Sequence, residues 1–295
     1  MMIALYNMKM KVLGVGDNVV DRYVNKDVMF PGGNAVNFAV YASKCGAEAS
    51  YLGIFANDIE GKLVRNSLVS LGIDISNCEI KENAATERCD VNLVEGDRVF
   101  IDTTYGPGEW TPLKIKSEMI SYIDGFDVVH CGCYAAMEDE MYKLKDVHGF
   151  KTYDFSEERE YRTNQYLKKI CPYIDMALFS GSDMDEDEEI EIREKVTSLG
   201  ARYVLVTRGA DGQKLWDGQI EHEGCVNMTK PVDTMGAGDS FFAAFVVETV
   251  KKGIANKKSL TARELREAFE YAAWFSAQNC LSEGSFGFKT AFTKG

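Results

Sequence analysis

A chain of 295 residues with 46 acidic against 33 basic side chains, a formal net charge of −13, is long enough to bury one large α/β core. The charge balance disfavours a nucleic-acid binder, which needs a basic stripe to neutralise phosphates, and no apolar run approaches the roughly 20 residues of a membrane span. Eight cysteines, at 45, 78, 89, 131, 133, 171, 225 and 280, contain no Cys-x-x-Cys pair, so a disulfide framework is not expected and reduced thiols fit a cytoplasmic setting.

In chain order, Met1 to Met10 lack the basic, apolar and small-residue order of a signal peptide and read as a lead-in. Lys11-Val12-Leu13-Gly14-Val15-Gly16 reads as a buried strand that releases Asp17, Asn18 and Asp21 at its C-terminal end, where ligands sit in an open parallel sheet; a polar turn explains the same residues. Arg22 to Phe30 reads as a further strand. Pro31-Gly32-Gly33-Asn34-Ala35-Val36-Asn37 is a glycine turn running into a helix. The amide of Asn37 offers a donor and an acceptor, which suits a hydroxylated ligand, while a tight turn and close packing account for Gly32 and Gly33 equally well.

Ser50 to Phe55 reads as a strand and Asp58 to Leu71 as an amphipathic helix closed by Gly72. Glu87 to Asp102 alternates polar and apolar residues around Glu95-Gly96-Asp97, the pattern of a hairpin. A hairpin here breaks the strand–helix alternation and has to leave the main sheet, forming with Arg22 to Phe30 a small β-lid. Such a lid exposes an apolar face that a second copy buries, so a homodimer through it is expected. Arg88 and Arg98 on the lid are open to substrate contact or to exposed ion pairing. Phe126 to His130, Lys151 to Phe155, Met176 to Phe179 and Tyr203 to Thr207 read as short parallel strands, each after a helical stretch. His130-Cys131-Gly132-Cys133 lacks the second ligand pair of a structural zinc site, and no partner is identifiable for His148 or His222. The acidic run Asp183 to Ile192 suits the solvated first turns of a helix.

Asp233-Thr234-Met235-Gly236-Ala237-Gly238-Asp239-Ser240 then precedes the apolar run Phe241 to Val247. Small residues let the backbone approach a ligand, and a helix starting there aims its free N–H groups at an anion. Electrostatics give no reason to bind a carboxylate beside a phosphate, so Asp239 points to proton abstraction from an incoming hydroxyl; helix capping is the competing reading. Ala272 to Leu281 reads as a buried helix, followed by a glycine turn at Ser282 to Ser285.

The motifs at 31–41 and 233–246, in this order and separation, resemble the ribokinase-like, or PfkB, family of carbohydrate kinases over nearly the whole chain. The resemblance implies an α/β three-layer sandwich with a mostly parallel central sheet, one domain over 1–295, with a lid from about 20–31 and 86–104. It implies Asp239 as catalytic base, and the Gly236, Ala237 and Gly238 amides as the anion hole for the transferring phosphoryl group. Asp21, Gly32, Gly33 and Asn37 fall at sugar-binding positions, with Asp17 and Arg98 assigned to the same substrate. The segment Val204 to Gly212 corresponds to the strand and loop lining the ATP phosphates and ribose, which implicates Thr207, Arg208, Gly209 and Gly212, and Asn279 is placed near the adenine. ATP and magnesium are the implied cofactors, with a monovalent cation as a further candidate.

The chain departs from the family at its Asn-x-x-Glu element, which organises magnesium-bound water. Here the strand end reads Phe179-Ser180-Gly181-Ser182-Asp183-Met184-Asp185-Glu186, leaving Asp183, Asp185 and Glu186 open as metal residues, with Asp183 and Glu186 taken as the pair. Six segments, including Asp97-Arg98-Val99-Phe100, Asp127-Val128-Val129-His130 and Tyr153-Asp154-Phe155-Ser156, look like the fructoselysine 6-kinase group within the family. That implies phosphorylation of the 6-hydroxyl of a fructosamine, the Amadori adduct of a sugar with an amine. A fructokinase- or ribokinase-type enzyme and a catalytically weak ligand sensor on the same fold remain alternatives. A nicotinamide-dependent dehydrogenase fails at the third glycine of Gly14-Val15-Gly16-Asp17-Asn18-Val19.

Overall fold

The apolar run at the start forms β1 (Lys11–Gly16), buried at every residue after Lys11, as a strand covered on both faces must be. The computed structural model describes residues 9–106, 108–256 and 258–292, so most of the expected lead-in lies outside the described residues. Along the chain follow β2 (Val19–Tyr23), β3 (Val28–Gly32), α1 (Asn34–Lys44), β4 (Glu48–Ala56) and α2 (Ile59–Ser70). Next come β5 (Glu79–Lys81), β6 (Glu87–Val94), β7 (Asp97–Tyr105), α3 (Ser117–Ile123) and β8 (Val128–Gly132). The middle of the chain supplies β9 (Phe150–Asp154), α4 (Asn164–Ile170), β10 (Met176–Ser180), α5 (Glu186–Leu199) and β11 (Tyr203–Thr207). The last elements are β12 (Gln213–Trp216), β13 (Glu221–Glu223), α6 (Ala237–Lys251), α7 (Ala262–Asn279) and β14 (Thr290–Ala291).

Among the described residues one sheet runs β13-β12-β11-β10-β9-β8-β1-β4-β5. Pairing is parallel from β5 to β11 and antiparallel only where β12 and β13 extend the edge. Alternation along β1 feeds both faces: Val12 joins a core with α1, α6 and α7, whereas Leu13 and Val15 join one with α4 and α5, as a period of two requires. The result is helix, sheet and helix in three layers. Local chemistry sets the helix ends. Asp58 Oδ1 accepts the Gly61 N–H at 2.7 Å, and Thr261 with Glu264 forms a reciprocal capping box on α7. No described helix is long and apolar enough to cross a membrane.

A second sheet runs β14-β3-β2-β6-β7. The turn between β6 and β7 carries Glu95 at φ 52° and Gly96 at φ 88°, the consecutive positive angles of a two-residue hairpin loop. Two expectations change here. Arg22 to Phe30 is not one strand but the turn of a hairpin, because Asp27 at φ 53° reverses the chain and pairs Tyr23 with Val28. The crossover from β8 to β9 carries only short 3₁₀ turns, Cys133–Ala135 and Met141–Leu144, rather than an α-helix.

Candidate active site

The C-terminal ends of β1, β8 and β9 and the N-termini of α1 and α6 converge, and hydrogen bonds join Asp17, Asn34, His130, Asp154 and Asp239 there. At the end of β1, Asp17 turns back onto α1: its Oδ2 accepts the Asn34 N–H at 2.6 Å and its Oδ1 the Ala35 N–H at 3.3 Å. This carboxylate therefore caps the helix from seventeen residues away. The glycine pair makes that approach possible. Gly33 sits at φ 111°, and a Cβ on it would lie 2.8 Å from Asn18 Cα; a Cβ on Gly32 would lie 2.5 Å from Asp21 Oδ2. Gly32 and Gly33 act through this close approach of backbone to carboxylate.

Asp239 stands in the first turn of α6, half-buried, between two amides. Asn34 Nδ2 donates to its Oδ1 at 2.9 Å and Asn37 Nδ2 to its Oδ2 at 2.7 Å. Burial pushes its ionisation above the usual carboxylate range, partly offset by Asn37, Arg98 and Asn34. Four more carboxyl groups share its surroundings. Burial raises Asp17 to about 6, and raises Asp21, Glu87 and Asp154 each to about 7, with mutual repulsion adding to each shift. Arg98 on β7 supplies opposing charge to Asp21 and Asp239, its Nη1 3.5 Å from Met235 Sδ and its guanidinium over the Phe100 ring. Arg88, in contrast, points away to Glu60 at 2.7 Å.

The turn before α6 has Gly236 at φ 71°, where a Cβ would meet the Tyr41 hydroxyl at 2.4 Å. Tyr41 donates to the Ser285 carbonyl, and Asn279 Nδ2 donates to Tyr41 Oη at 3.0 Å and to the Met235 carbonyl at 3.3 Å. Asn279 thus braces the turn before α6. Of the amides named for an anion hole, that of Ala237 is already engaged, donating to the Thr234 carbonyl at 3.1 Å. Gly238 has open space where a Cβ would stand.

A cavity lined by Arg98 and Gly238 runs past Ser180, Thr207, Gly209 and Ser276. Arg208 and Gly212 shape this wall without lining it: the Arg208 N–H donates to the Gly212 carbonyl at 2.8 Å, and its guanidinium reaches the Asp211 carbonyl at 3.1 Å, with Glu189 at 3.9 Å. The sequence-named metal residues do not come together. Asp183 is held by the buried Arg162 at 2.9 Å and 3.1 Å, Asp185 caps α5 by accepting the Glu188 N–H, and Glu186 lies exposed in the first turn. Among the described residues no group of three His, Cys, Asp or Glu side chains could hold a metal. His148 and His222 do have partners, Asp124 at 3.0 Å and Asp217 at 2.8 Å, and all eight cysteines are free.

Reasoning from the sequence left Asn34, Glu87, Asp154 and Asp233 without a role, and took His130, at a strand end facing the sugar site, as structural or substrate-lining. Asn34, His130 and Asp154 stood inside the motifs, and the signal was their position at element ends that open onto one side of the sheet. Glu87 gave none, and His130 has no exposed surface and stands behind the site rather than lining it.

A model described as the pfkB family carbohydrate kinase matches residues 1–288. The fructosamine kinase FrlD of Bacillus subtilis (strain 168) is 34% identical over 284 residues, covering 95% of this chain and 94% of that protein. The fructoselysine 6-kinase of Escherichia coli (strain K12) is 30% identical over 272 residues, covering 90% and 100%. Among solved structures, a fructokinase from Xylella fastidiosa with bound ATP superposes with a TM-score of 0.77 at 15% identity over 95% of this chain and 94% of that one, which shows the ribokinase-like fold. The chain belongs to the pfkB family of carbohydrate kinases and is an ATP-dependent phosphotransferase.

Proposed function

We propose that the acceptor is a fructosamine of the fructoselysine type, phosphorylated on its 6-hydroxyl. The carrying observation is the charge of the site. Burial, and then a neighbouring carboxylate, raises the ionisation of Asp17, Asp21, Glu87 and Asp154 around Asp239, and Arg98 opposes this only at Asp21 and Asp239. A neutral ketose leaves that repulsion standing, whereas a fructosamine carries a secondary ammonium that offsets it. The two relatives named for such substrates support the same reading.

In the reaction, Asp239 takes the proton of the acceptor hydroxyl as its oxygen bonds to the γ-phosphorus. The bond to the bridging oxygen breaks and ADP leaves with that electron pair. The start of α6 presents backbone N–H groups and the positive end of its dipole to the moving phosphoryl group. Thr207 and Gly209 line the cavity in which the nucleotide lies. Asp183 is tied to Arg162 and no group of three His, Cys, Asp or Glu side chains among the described residues could hold a metal, so magnesium would enter with the nucleotide and would offset the charge of its phosphates.

The test is an ADP-release assay with ATP and magnesium across fructoselysine, other fructosamines, fructose and ribose. The kcat/KM for fructoselysine is expected to exceed that for fructose by about 30-fold or more, the low end of what a buried charge pair contributes. Preference for a neutral sugar would move the acceptor elsewhere in the family, and turnover on none would favour ligand sensing.

We also infer a homodimer through the lid. β7 is an edge strand of the second sheet and carries Val99, Phe100 and Ile101, each about half exposed, beside an equally exposed Val94. Unpaired backbone next to apolar side chains invites a second copy. Light scattering is expected to give the mass of two chains, and Val99→Glu with Ile101→Glu the mass of one. A single-chain mass for the unaltered protein would remove the dimer.

A further inference from the structure

A buried chain of hydrogen bonds ends on the Asp239 carboxylate. His130, on β8, has no exposed surface. Its ring stacks on Phe38 with centroids 3.9 Å apart and meets the edge of Phe242 at 5.6 Å. Its Nδ1 lies 2.9 Å from Thr152 Oγ1 and its Nε2 2.9 Å from Asn34 Oδ1. Beyond Asn34 the two amide hydrogens diverge: Nδ2 donates to Asp239 Oδ1 at 2.9 Å and to Asp154 Oδ2 at 2.8 Å.

These partners fix every proton in the chain. An Asn34 amide turned the other way would set its oxygen against two carboxylates. With Nδ2 toward them, Oδ1 faces the imidazole, so Nε2 carries the hydrogen and Nδ1 accepts from the Thr152 hydroxyl. Burial holds the ring well below the ordinary imidazole value, at about 3, and it stays neutral wherever the enzyme works. The backbone is shaped around the same contact, because a Cβ on Gly132 would stand 2.1 Å from Asn34 Oδ1.

We propose that His130, acting through Asn34, is a positioning residue for phosphoryl transfer. Thr152 donates to Nδ1 and braces the ring, the Nε2–H anchors the amide oxygen, and the amide holds the Asp239 and Asp154 carboxylates in place for the acceptor hydroxyl. This rests on Asp239 being the base. Without the Nε2–H, Asn34 Oδ1 becomes a part-buried acceptor with no donor, and the amide, held only by its two N–H bonds, shifts toward other donors and weakens its bond to Asp239. Asp239 then keeps the Asn37 N–H and the field of Arg98 against Asp17, Asp21 and Asp154, so its ionisation rises further and its orientation loosens.

The experiment compares His130→Phe, His130→Gln, Thr152→Val, Thr152→Ser and Asp239→Asn with the unaltered enzyme in the ADP-release assay across the active pH range. It adds ¹⁵N NMR of the histidine-labelled protein; the chain has 3 histidines, and His148→Gln and His222→Gln assign two of them. The expected His130 signal is a neutral Nε2–H tautomer that does not titrate. His130→Phe, which keeps the aromatic packing, is expected to lower kcat by about tenfold to a hundredfold, leave KM for ATP unchanged and move the acid limb of kcat/KM upward. His130→Gln, whose side-chain N–H replaces the Nε2–H, is expected to recover most of that loss. Thr152→Val is expected to leave Nδ1 without its donor, loosen the ring and lower kcat with the Nε2–H tautomer retained, while Thr152→Ser restores the turnover; if His130→Phe does not fold, this pair decides.

Unchanged kcat and acid limb in His130→Phe and Thr152→Val would overturn the proposal, as would equal losses in His130→Phe and His130→Gln. Asp239→Asn separates the two levels. If it keeps its turnover the base assignment fails, whereas an inactive Asp239→Asn beside unaffected His130 variants removes the positioning role alone.

Discussion

Asp239→Asn is expected to lower kcat by about 10²- to 10⁴-fold, the range of a general base, while ATP binding stays within a few-fold. The substitution keeps the size of the side chain and the first turn of α6, so the loss isolates the chemistry. It also turns a group that accepts from both Asn34 and Asn37 into one that presents an N–H to one of them. The pH profile adds a second readout. The base acts only when ionised, so kcat/KM falls as pH drops through the Asp239 value, which burial holds above the ordinary carboxylate range. That limb should vanish from whatever activity Asp239→Asn retains. Near-full turnover in steady-state assays of the variant would remove Asp239 from the mechanism and leave helix capping as its function.

Asp233→Ala is expected to destabilise the protein by about 3 kcal/mol or more, since three buried donors lose an acceptor at about 1 to 3 kcal/mol each. Asp233 has no exposed surface. Its Oδ2 accepts the Tyr23 hydroxyl at 2.6 Å and the Gly284 N–H at 2.8 Å, and its Oδ1 the Met235 N–H at 2.9 Å. One carboxylate therefore ties the lid strand β2, the closing turn after α7 and the turn before α6. Urea unfolding should show a lower midpoint with an unchanged slope, because the surface exposed on unfolding is the same. Activity should fall as well, through the loosened Gly236 turn. A midpoint equal to that of the unaltered protein would mean that the three donors find other partners.

The same residue shows why part of the site could be read early and part could not. Asp233 stands in the most informative segment of the chain, yet in sequence it looks like the first letter of a glycine motif. Its function depends on Tyr23 and Gly284, which lie 210 and 51 residues away. Asp239, by contrast, was legible because its meaning is local: small residues, then a carboxylate, then an apolar helix. Continuous apolar runs gave β1, β4, β8, β9, β10 and β11 of the main sheet for the same reason, since burial is a property of a short window, whereas the edge strands β5, β12 and β13 are too short to leave a pattern. The turn at Asp27 was missed because a non-glycine residue takes the positive φ there, and the chain carries no glycine or proline to mark the reversal.

Asp183 marks the other limit. An acidic residue near a strand end suits a metal by type, but the fold sets the buried guanidinium of Arg162 against it, and a charge already paired this way has little left for a cation. Arg208 is turned from the cavity by Glu189 and the Asp211 carbonyl in the same manner. Sequence by itself determined the inner strands of the main sheet, the glycine turns and the placing of Asp239 at a helix start, because each follows from neighbours within a few residues. Only the tertiary structure decided which carboxylates gather around Asp239, that His130 and Asn34 stand behind it, and that Asp183 and Arg208 are already partnered. Those are contacts between residues far apart in the chain, set by how the sheet and its helices pack.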